Sequence, residues 1–293
     1  MVKVKIGIIG GSGLYRMKEL SDVEEVKLIT PFGEPSDVIT AGKLEGIGVA
    51  FLPRHGKGHR ISPSKLPVRA NIYALKSLGV ERIISINAVG SLKEEIEPLD
   101  FVLPDQIIDL TKGRPSTFFI DGVVGHISFA QPFCPILSQV LFEAAIKTGA
   151  TAYKGGTYLA MEGPQFSTKA ESHLYRSWGA DVIGMTGSPE AKLAREAEIC
   201  YAMLGFVTDY DCWHANYASV TAEMILTNLK KSVNAAREIL RLAIPMIPQK
   251  RDCICATALK TAIATSPKYI SDKAKRDLDP IIGKYLKNKE NVT

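Results

Sequence analysis

"RIISINAVGSL", residues 82–92, carries the decision about the fold. Its first eight residues are a short, mainly apolar and β-branched run, the pattern of a strand buried on both faces. Such a strand belongs in a sheet that helices cover on either side. The run then stops at Asn87-Ala88-Val89-Gly90-Ser91. Strand ends are where α/β sheets hold ligands, and small side chains leave room for one. A plain strand-to-turn exit is the other reading of the same residues.

Working outward, residues 4–9 ("VKIGII"), 48–52 ("GVAFL") and 101–108 ("FVLPDQII") read as further strands, with "DVIGM" at 181–185 a short one. A helix is expected over about 63–78, with Ser62 at its N-cap, Pro63 at its first position and Gly79 after its end. Others are expected over 135–148, from Thr168 to about 178, over 189–201 and over 220–241. Thr168 and Glu171 have the T-x-x-E spacing of a capping box. Strands alternating with helices imply an α/β protein with a buried sheet. No linker-like break interrupts the 293 residues, so they read as a single domain with a helical tail from about 250.

Hydrophobic residues make up 46% of the chain and charged residues 23%, ordinary values for a globular protein. No apolar run reaches the ~18 residues of a membrane span, and the N-terminus lacks a signal-peptide pattern. The expectation is a cytoplasmic protein with no membrane partner. A net charge of +5, without a basic block interleaved with aromatics, gives no reason to expect nucleic acid. Five cysteines occur: Cys134, Cys200, Cys212, Cys253 and Cys255. Cys253-Ile254-Cys255 lacks a second close pair, so no zinc module is indicated. Free buried thiols and disulfides both remain open.

Several segments have residues suited to chemistry. Gly10-Gly11-Ser12-Gly13 follows a strand and fits neither the dinucleotide fingerprint nor the nucleophile elbow. What remains is a glycine turn with one hydroxyl, either a phosphate-binding nest or a tight turn. "PRHGKGHRISPSK" (53–65) crowds Arg54, His55, Lys57, His59 and Arg60 into a glycine-containing loop, matching an anion better than a metal. "MEGPQFSTKAES" (161–172) places Phe166 before the capped helix, as core or as a ring that stacks on a flat ligand. "IGMTGSPEA" (183–191) puts Met185 and Thr186 at a strand end. "LGFVTDYDCW" (204–213) starts as a buried strand and ends in Asp209 and Asp211. On a continuing strand the two would share a face about 6.6 Å apart. Such acids can pair with bases, cap a turn, serve inverting glycoside hydrolysis or hold a metal.

Together, "GIIGGSGL" (7–14), "PFGEPSD" (31–37), "RHGKGHRISPSK" (54–65), "NAVGSL" (87–92), "MEGPQFSTKAES" (161–172), "GMTGSPEA" (184–191) and "TDYDCW" (208–213) resemble the nucleoside phosphorylase family, trimeric class. The resemblance spans about residues 4–245. It implies a single-domain nucleoside phosphorylase-like fold, a central mixed β-sheet surrounded by α-helices. It also implies phosphorolysis of an N-glycosidic bond, with phosphate as co-substrate and no cofactor or metal. The implied phosphate site comprises Ser12, Arg54, His55, Asn87, Ala88 and Thr186; Asn87 departs from the Thr or Ser of close relatives. The implied nucleoside site comprises Phe166 against the purine, Met185 under the ribose, and Thr208, Asp209 and Asp211 at the base. Asp209 and Asp211 are the catalytic pair. An Asp rather than Asn at 209 points to adenine, and 5′-methylthioadenosine is the substrate the resemblance favours. A broader adenosine/inosine phosphorylase and a hydrolytic nucleosidase are the alternatives. The family further implies a homotrimer or hexamer in which His126 reaches a neighbouring subunit's pocket. Hyperthermophilic archaeal members share the C-x-C near the C-terminus, which implies Cys253–Cys255 and Cys134–Cys200 disulfides with Cys212 reduced.

Overall fold

The structure, a computed structural model, describes residues 4–11, 19–120, 122–215 and 221–290. Its strands are β1 (Ile6–Gly10), β2 (Ser21–Val26), β3 (Ile39–Leu44), β4 (Ile47–Pro53), β5 (Arg82–Ser91), β6 (Phe101–Leu103), β7 (Gln106–Asp109), β8 (Ala152–Lys154), β9 (Thr157–Ala160), β10 (Val182–Gly184) and β11 (Cys200–Asp209). The helices are α1 (Val68–Ser77), α2 (Pro135–Lys147), α3 (Lys169–Ser177), α4 (Gly187–Glu196), α5 (Ala222–Met246), α6 (Asp272–Asp277) and α7 (Asp279–Glu290). All eleven strands join one mixed sheet along β2-β3-β4-β1-β5-β10-β9-β7, with β11 between β5 and β6 and with β8 beyond β6.

Apolar residues on both faces of the central strands have a direct cause. On β5, Ile83 packs into a core with α1, α4 and α7, whereas Ile84 and Ile86 pack into a second core with α2 and α5. Ile9 and Ile8 of β1 divide in the same way. Period-two alternation then sends consecutive side chains into two different apolar layers.

β5 also creates the opening that a ligand needs. On one side it pairs with β11 from Arg82 to Gly90. On the other, β1 pairs only with Arg82–Ser85, and β10 pairs antiparallel with Gly90 and Ser91. The two neighbours diverge, so residues 86–89 face a gap in the sheet. Nine of the ten β5 residues are buried, and the exception is Ala88 in that gap.

Local chemistry explains where the elements depart from expectation. The helix expected over 63–78 is interrupted. Ser62 and Pro63 start only a 3-10 turn, Pro63–Lys65, and α1 begins after Pro67. Pro67 is the N-cap of α1, and it separates the two helical pieces. The strand expected over 101–108 is two strands, because Pro104 lies between them. β6 pairs with β11 and β8, whereas β7 pairs with β9. The helix expected to reach 201 ends at Glu196. Glu198 turns left-handed (φ 54°) and β11 starts at Cys200. The capping box at Thr168 and Glu171 forms as expected.

Candidate active site

The gap beside β5 is filled by a buried polar network centred on Arg54, the first residue after β4. Its Nε donates to Glu190 Oε1 (2.5 Å) and its Nη2 to Glu190 Oε2 (3.0 Å), a bidentate pair. Arg54 Nη1 donates to the Ile86 carbonyl (2.9 Å), in the stretch of β5 that neither β1 nor β10 pairs. Nη2 also reaches Ser85 Oγ at 2.6 Å. Both side chains are almost inaccessible, 3% for Arg54 and 1% for Glu190, so each charge depends on the other. Tyr201 completes the carboxylate by donating its hydroxyl to Glu190 Oε2 (2.9 Å).

Asn87 links this pair to the start of α4. Its Oδ1 accepts from Ser85 (2.7 Å), and its Nδ2 donates to Thr186 Oγ1 (2.8 Å). Thr186 occupies the N-cap of α4 without using its side chain as a cap. Its hydroxyl therefore accepts from Asn87 and keeps its own hydrogen for another partner.

The loop after Arg54 is shaped by its neighbours. Asp37 accepts from the Lys57 N–H (2.6 Å), and Ser36 donates to the Pro53 carbonyl (2.7 Å). His55 Nδ1 lies 2.8 Å from the Ile61 carbonyl and its ring stacks on His59 at 4.2 Å. A carbonyl can only accept, so Nδ1 holds the proton. Burial lowers the His55 pKa to about 4, and the nearby Arg54 charge adds to the effect. His55 is thus a neutral ring with Nε2 free to accept, unlike a cationic anion clamp.

At the far end of β5 sit the two acids. The β11 register slips between Val207, opposite Val89, and Asp209, opposite Gly90, so Thr208 is the extra residue of a β-bulge. Thr208 Oγ1 donates to Asp209 Oδ2 (2.6 Å), and the Asp211 N–H donates to Asp209 Oδ1 (2.8 Å). A Cβ on Gly90 would lie 2.9 Å from Asp209 Oδ1, so glycine there makes room for the carboxyl. Asp209 is 6% exposed, and burial raises its pKa from 3.8 to about 6. Asp211 is also raised, by burial. The expectation of two carboxylates on one strand face is corrected. β11 ends at Asp209, and Asp211 lies in a turn with φ 51°.

Phe166 is 40% exposed on the loop before α3. Cys212 donates its thiol to the Ser167 carbonyl (3.2 Å), which ties this loop to the Asp211 turn. Met185 approaches Gly163, where a Cβ would meet its sulfur at 2.4 Å; with φ 67°, Gly163 suits glycine twice over. Arg114 Nη1 donates to the Met185 carbonyl (2.5 Å) and Nε to Glu162 Oε2 (3.1 Å). Sequence reasoning missed Glu190 and Arg114. Glu190 is hidden within a helix, and Arg114 stands outside every motif.

The structure thus brings Arg54, Asn87 and Thr186 together, and joins Thr208 and Asp209 to the end of β5. Ser12 lies outside the described residues. His126 is exposed; its N–H donates to the Ala262 carbonyl (2.9 Å), and it shares no hydrogen bond with the site among the described residues. The expected Cys253–Cys255 and Cys134–Cys200 pairings are not formed. All five cysteines are free thiols, and four of them converge instead of forming two separate pairs. Among the described residues no helix is long and apolar enough to cross a membrane.

The family model described as the phosphorylase superfamily matches residues 5–245. The chain is 56% identical over 285 residues to the S-methyl-5′-thioadenosine phosphorylase of Koribacter versatilis, covering 97% of this chain and 98% of that protein. It is 54% identical to the one of Geobacter sulfurreducens, covering 96% and 99%. Among solved structures, a methylthioadenosine phosphorylase from an antarctic soil metagenomic library superposes with a TM-score of 0.92 at 50% identity, covering 96% and 99%. A mutant of the Schistosoma mansoni adenosine/methylthioadenosine phosphorylase in complex with methylthioadenosine gives 0.81 at 38% identity, covering 88% and 96%.

Proposed function

We propose, on the premise that this chain belongs to the phosphorylase superfamily, that it catalyses phosphorolysis of 5′-methylthioadenosine to adenine and 5-methylthioribose 1-phosphate. One observation carries the reading most directly. The exposed Ala88 separates a polar cluster at Arg54, Asn87 and Thr186 from a buried acid of raised pKa beside Gly90. From Asn87 to Gly90 is three residues, roughly 10 Å of strand. That length suits a ligand with phosphate at one end and a purine at the other.

In this reading phosphate is held by Ser12, Arg54, His55, Asn87 and Thr186, with the Ala88 backbone alongside. The Arg54 charge is already matched by Glu190, so Arg54 offers directed hydrogen bonds more than net charge. The neutral His55 suits the proton that phosphate itself carries near pH 7. Phe166 lies against the purine, Met185 under the ribose, and Thr208, Asp209 and Asp211 at the base. A phosphate oxygen attacks C1′ as the C1′–N9 bond breaks. The electron pair enters the purine, and protonated Asp209 delivers its proton to N7. No covalent enzyme intermediate is formed, and neither cofactor nor metal is part of this step.

We read the chain as one domain and as a cytoplasmic homotrimer or hexamer. His126 would be lent to a neighbouring pocket. Ile120 and Val124, 51% and 50% exposed, shortly precede His126 in the chain and support an interface there. Light scattering that returns a monomer would remove this part. For the reaction, adenine release from 5′-methylthioadenosine is measured with and without phosphate. Strict phosphate dependence is expected. Equal release in both arms would make the protein a hydrolase, and no release in either would leave it without this activity.

A further inference from the structure

The function above leaves four cysteines unused. The sulfurs of Cys134, Cys200, Cys253 and Cys255 all lie within 4.8 Å of one another, with Cys200 Sγ and Cys253 Sγ at 3.4 Å. A disulfide needs sulfurs about 2.05 Å apart. Four thiolates about 2.3 Å from one zinc ion form a tetrahedron with edges of about 3.8 Å. The 3.4 Å separation and the 4.8 Å limit on all the others bracket that edge, so the four sulfurs are close enough together to share one ion. We propose that Cys134, Cys200, Cys253 and Cys255 form a tetrathiolate site for a single structural zinc ion.

The ligands come from three separated pieces of chain, each held by its backbone. Cys134 is the N-cap of α2, and its N–H donates to the Tyr201 carbonyl (2.8 Å), which sets it beside Cys200 at the start of β11. Cys200 in turn donates its N–H to the Glu81 carbonyl (3.0 Å). Cys253 and Cys255 flank the start of a 3-10 turn, Ile254–Thr257. The approach to that turn is pinned. Arg251 Nη1 donates to the Glu198 carbonyl (2.6 Å), and Arg82 Nη2 donates to the carbonyls of Gln249 (3.1 Å) and Lys250 (3.2 Å). The site is therefore assembled before an ion arrives.

Charge is suited to it as well. Zinc with four thiolates carries a net charge of about −2. Arg82, Lys250 and Arg251 line the same cavity as Cys134, Cys200 and Cys253. Both arginines also face Glu81, at 3.6 and 3.7 Å, which balances them only in part. The N-terminal end of α2, 13 residues long, points its partial positive charge at Cys134. Three of the sulfurs are buried and the Cys253 side chain is half-buried. Soft thiolate ligands at one tetrahedral point select zinc over oxygen-seeking cations. Binding releases the thiol protons, and the ion clasps the segment that leads to α6 and α7 onto the start of β11.

The test is made on the intact, tag-free protein, by measuring zinc content by mass spectrometry and thiols in the chelator-treated, unfolded, unreduced chain. About one zinc per chain and five titratable thiols are expected. One titratable thiol without zinc would mean two disulfides and overturn the proposal. Five thiols without zinc, even after the reduced protein is incubated with zinc chloride and desalted, would overturn it equally. Cys255→Ser is expected to lose the zinc and Cys212→Ser to keep it. Because Cys255→Ser can also fail to fold, cobalt(II) is loaded into the reduced wild-type protein. The intense visible bands of tetrahedral thiolate coordination are expected, and a weak octahedral spectrum would refute the site.

Discussion

Replacing Asp209 by Asn should make the protein more stable and less active, with a pH dependence that identifies the cause. The substitution fits the site. Oδ1 of the new amide still accepts from the Asp211 N–H. Nδ2 donates to Thr208 Oγ1, whose own hydrogen turns to the Val89 carbonyl, already 3.2 Å away. What disappears is a buried ionisable group. Burial raises the Asp209 pKa from 3.8 to about 6, so the folded state keeps a proton that the unfolded chain releases. A raised carboxyl contributes its full stability below pH 3.8 and loses it as pH rises through 6. At 1.36 kcal/mol per unit, the 2.2-unit gap costs the wild type about 3 kcal/mol at pH 8. About 2 kcal/mol of that accrues between pH 4.5 and 8. An unfolding entropy of about 0.6 kcal/mol/K for a chain this long makes the full effect roughly 5 °C in Tm. Calorimetry of both proteins from pH 4.5 to 8 should show the variant's advantage growing with pH. A flat difference, or one that shrinks toward pH 8, would refute a raised Asp209. Turnover of adenine nucleosides should fall about 10²–10⁴-fold, the range of a lost general acid, and preference should shift toward inosine-type substrates. Equal losses on both substrates would count against Asp209 as the residue that reads the base.

Other perturbations probe the rest of the site. Glu190→Gln leaves Arg54 buried without its counter-charge and should cost about 3–5 kcal/mol, or roughly 5–8 °C in Tm. Added phosphate should recover more of that loss than it adds to the wild type, and a wild-type Tm would show that Arg54 does not depend on Glu190. Phe166→Ala should raise KM for the nucleoside about 2–10-fold with little change in Tm, since the ring is 40% exposed; an unchanged KM would remove the stacking role. In Gly90→Ala, the new methyl group 2.9 Å from Asp209 Oδ1 and 3.2 Å from Ile183 should cost about 1–3 kcal/mol in urea denaturation. A variant as stable as the wild type would show that the Asp209 carboxyl is not confined against Gly90.

Legibility in the sequence followed the physics of each element. β5, β11 and the Thr168 capping box were readable because double-sided burial and capping leave local patterns. β2, "SDVEEV", was not, since it is an exposed edge strand with no apolar run to mark it. Pro67 and Pro104 break a helix and a strand inside runs whose apolar pattern continues through them, so periodicity alone does not mark the break. At the site, Asn87, Asp209 and Thr186 could be picked out at strand ends. Glu190 could not, because its importance comes from meeting Arg54, 136 positions away, inside the sheet gap. The same holds for the cysteines. Spacing along the chain kept Cys134, Cys200 and the C-x-C apart, and only the folded backbone brings them together. The strand arithmetic for Asp209 and Asp211 failed because it assumed an unbroken β11.

The bulge at Thr208 has a consequence for how such a site can vary. Upstream of it, β11 follows strict alternation, and every side chain is committed to one apolar layer or the other. Downstream, the phase has been reset by one residue, so the acid-bearing end no longer shares register with the core. The strand behaves as two modules joined by a slipped joint. Base selectivity at position 209 can be rewritten by a single substitution without renegotiating the packing of Cys200–Val207. Deleting Thr208 would leave Asp209 opposite Gly90 but take away the bulge and the hydroxyl that donates to its carboxyl.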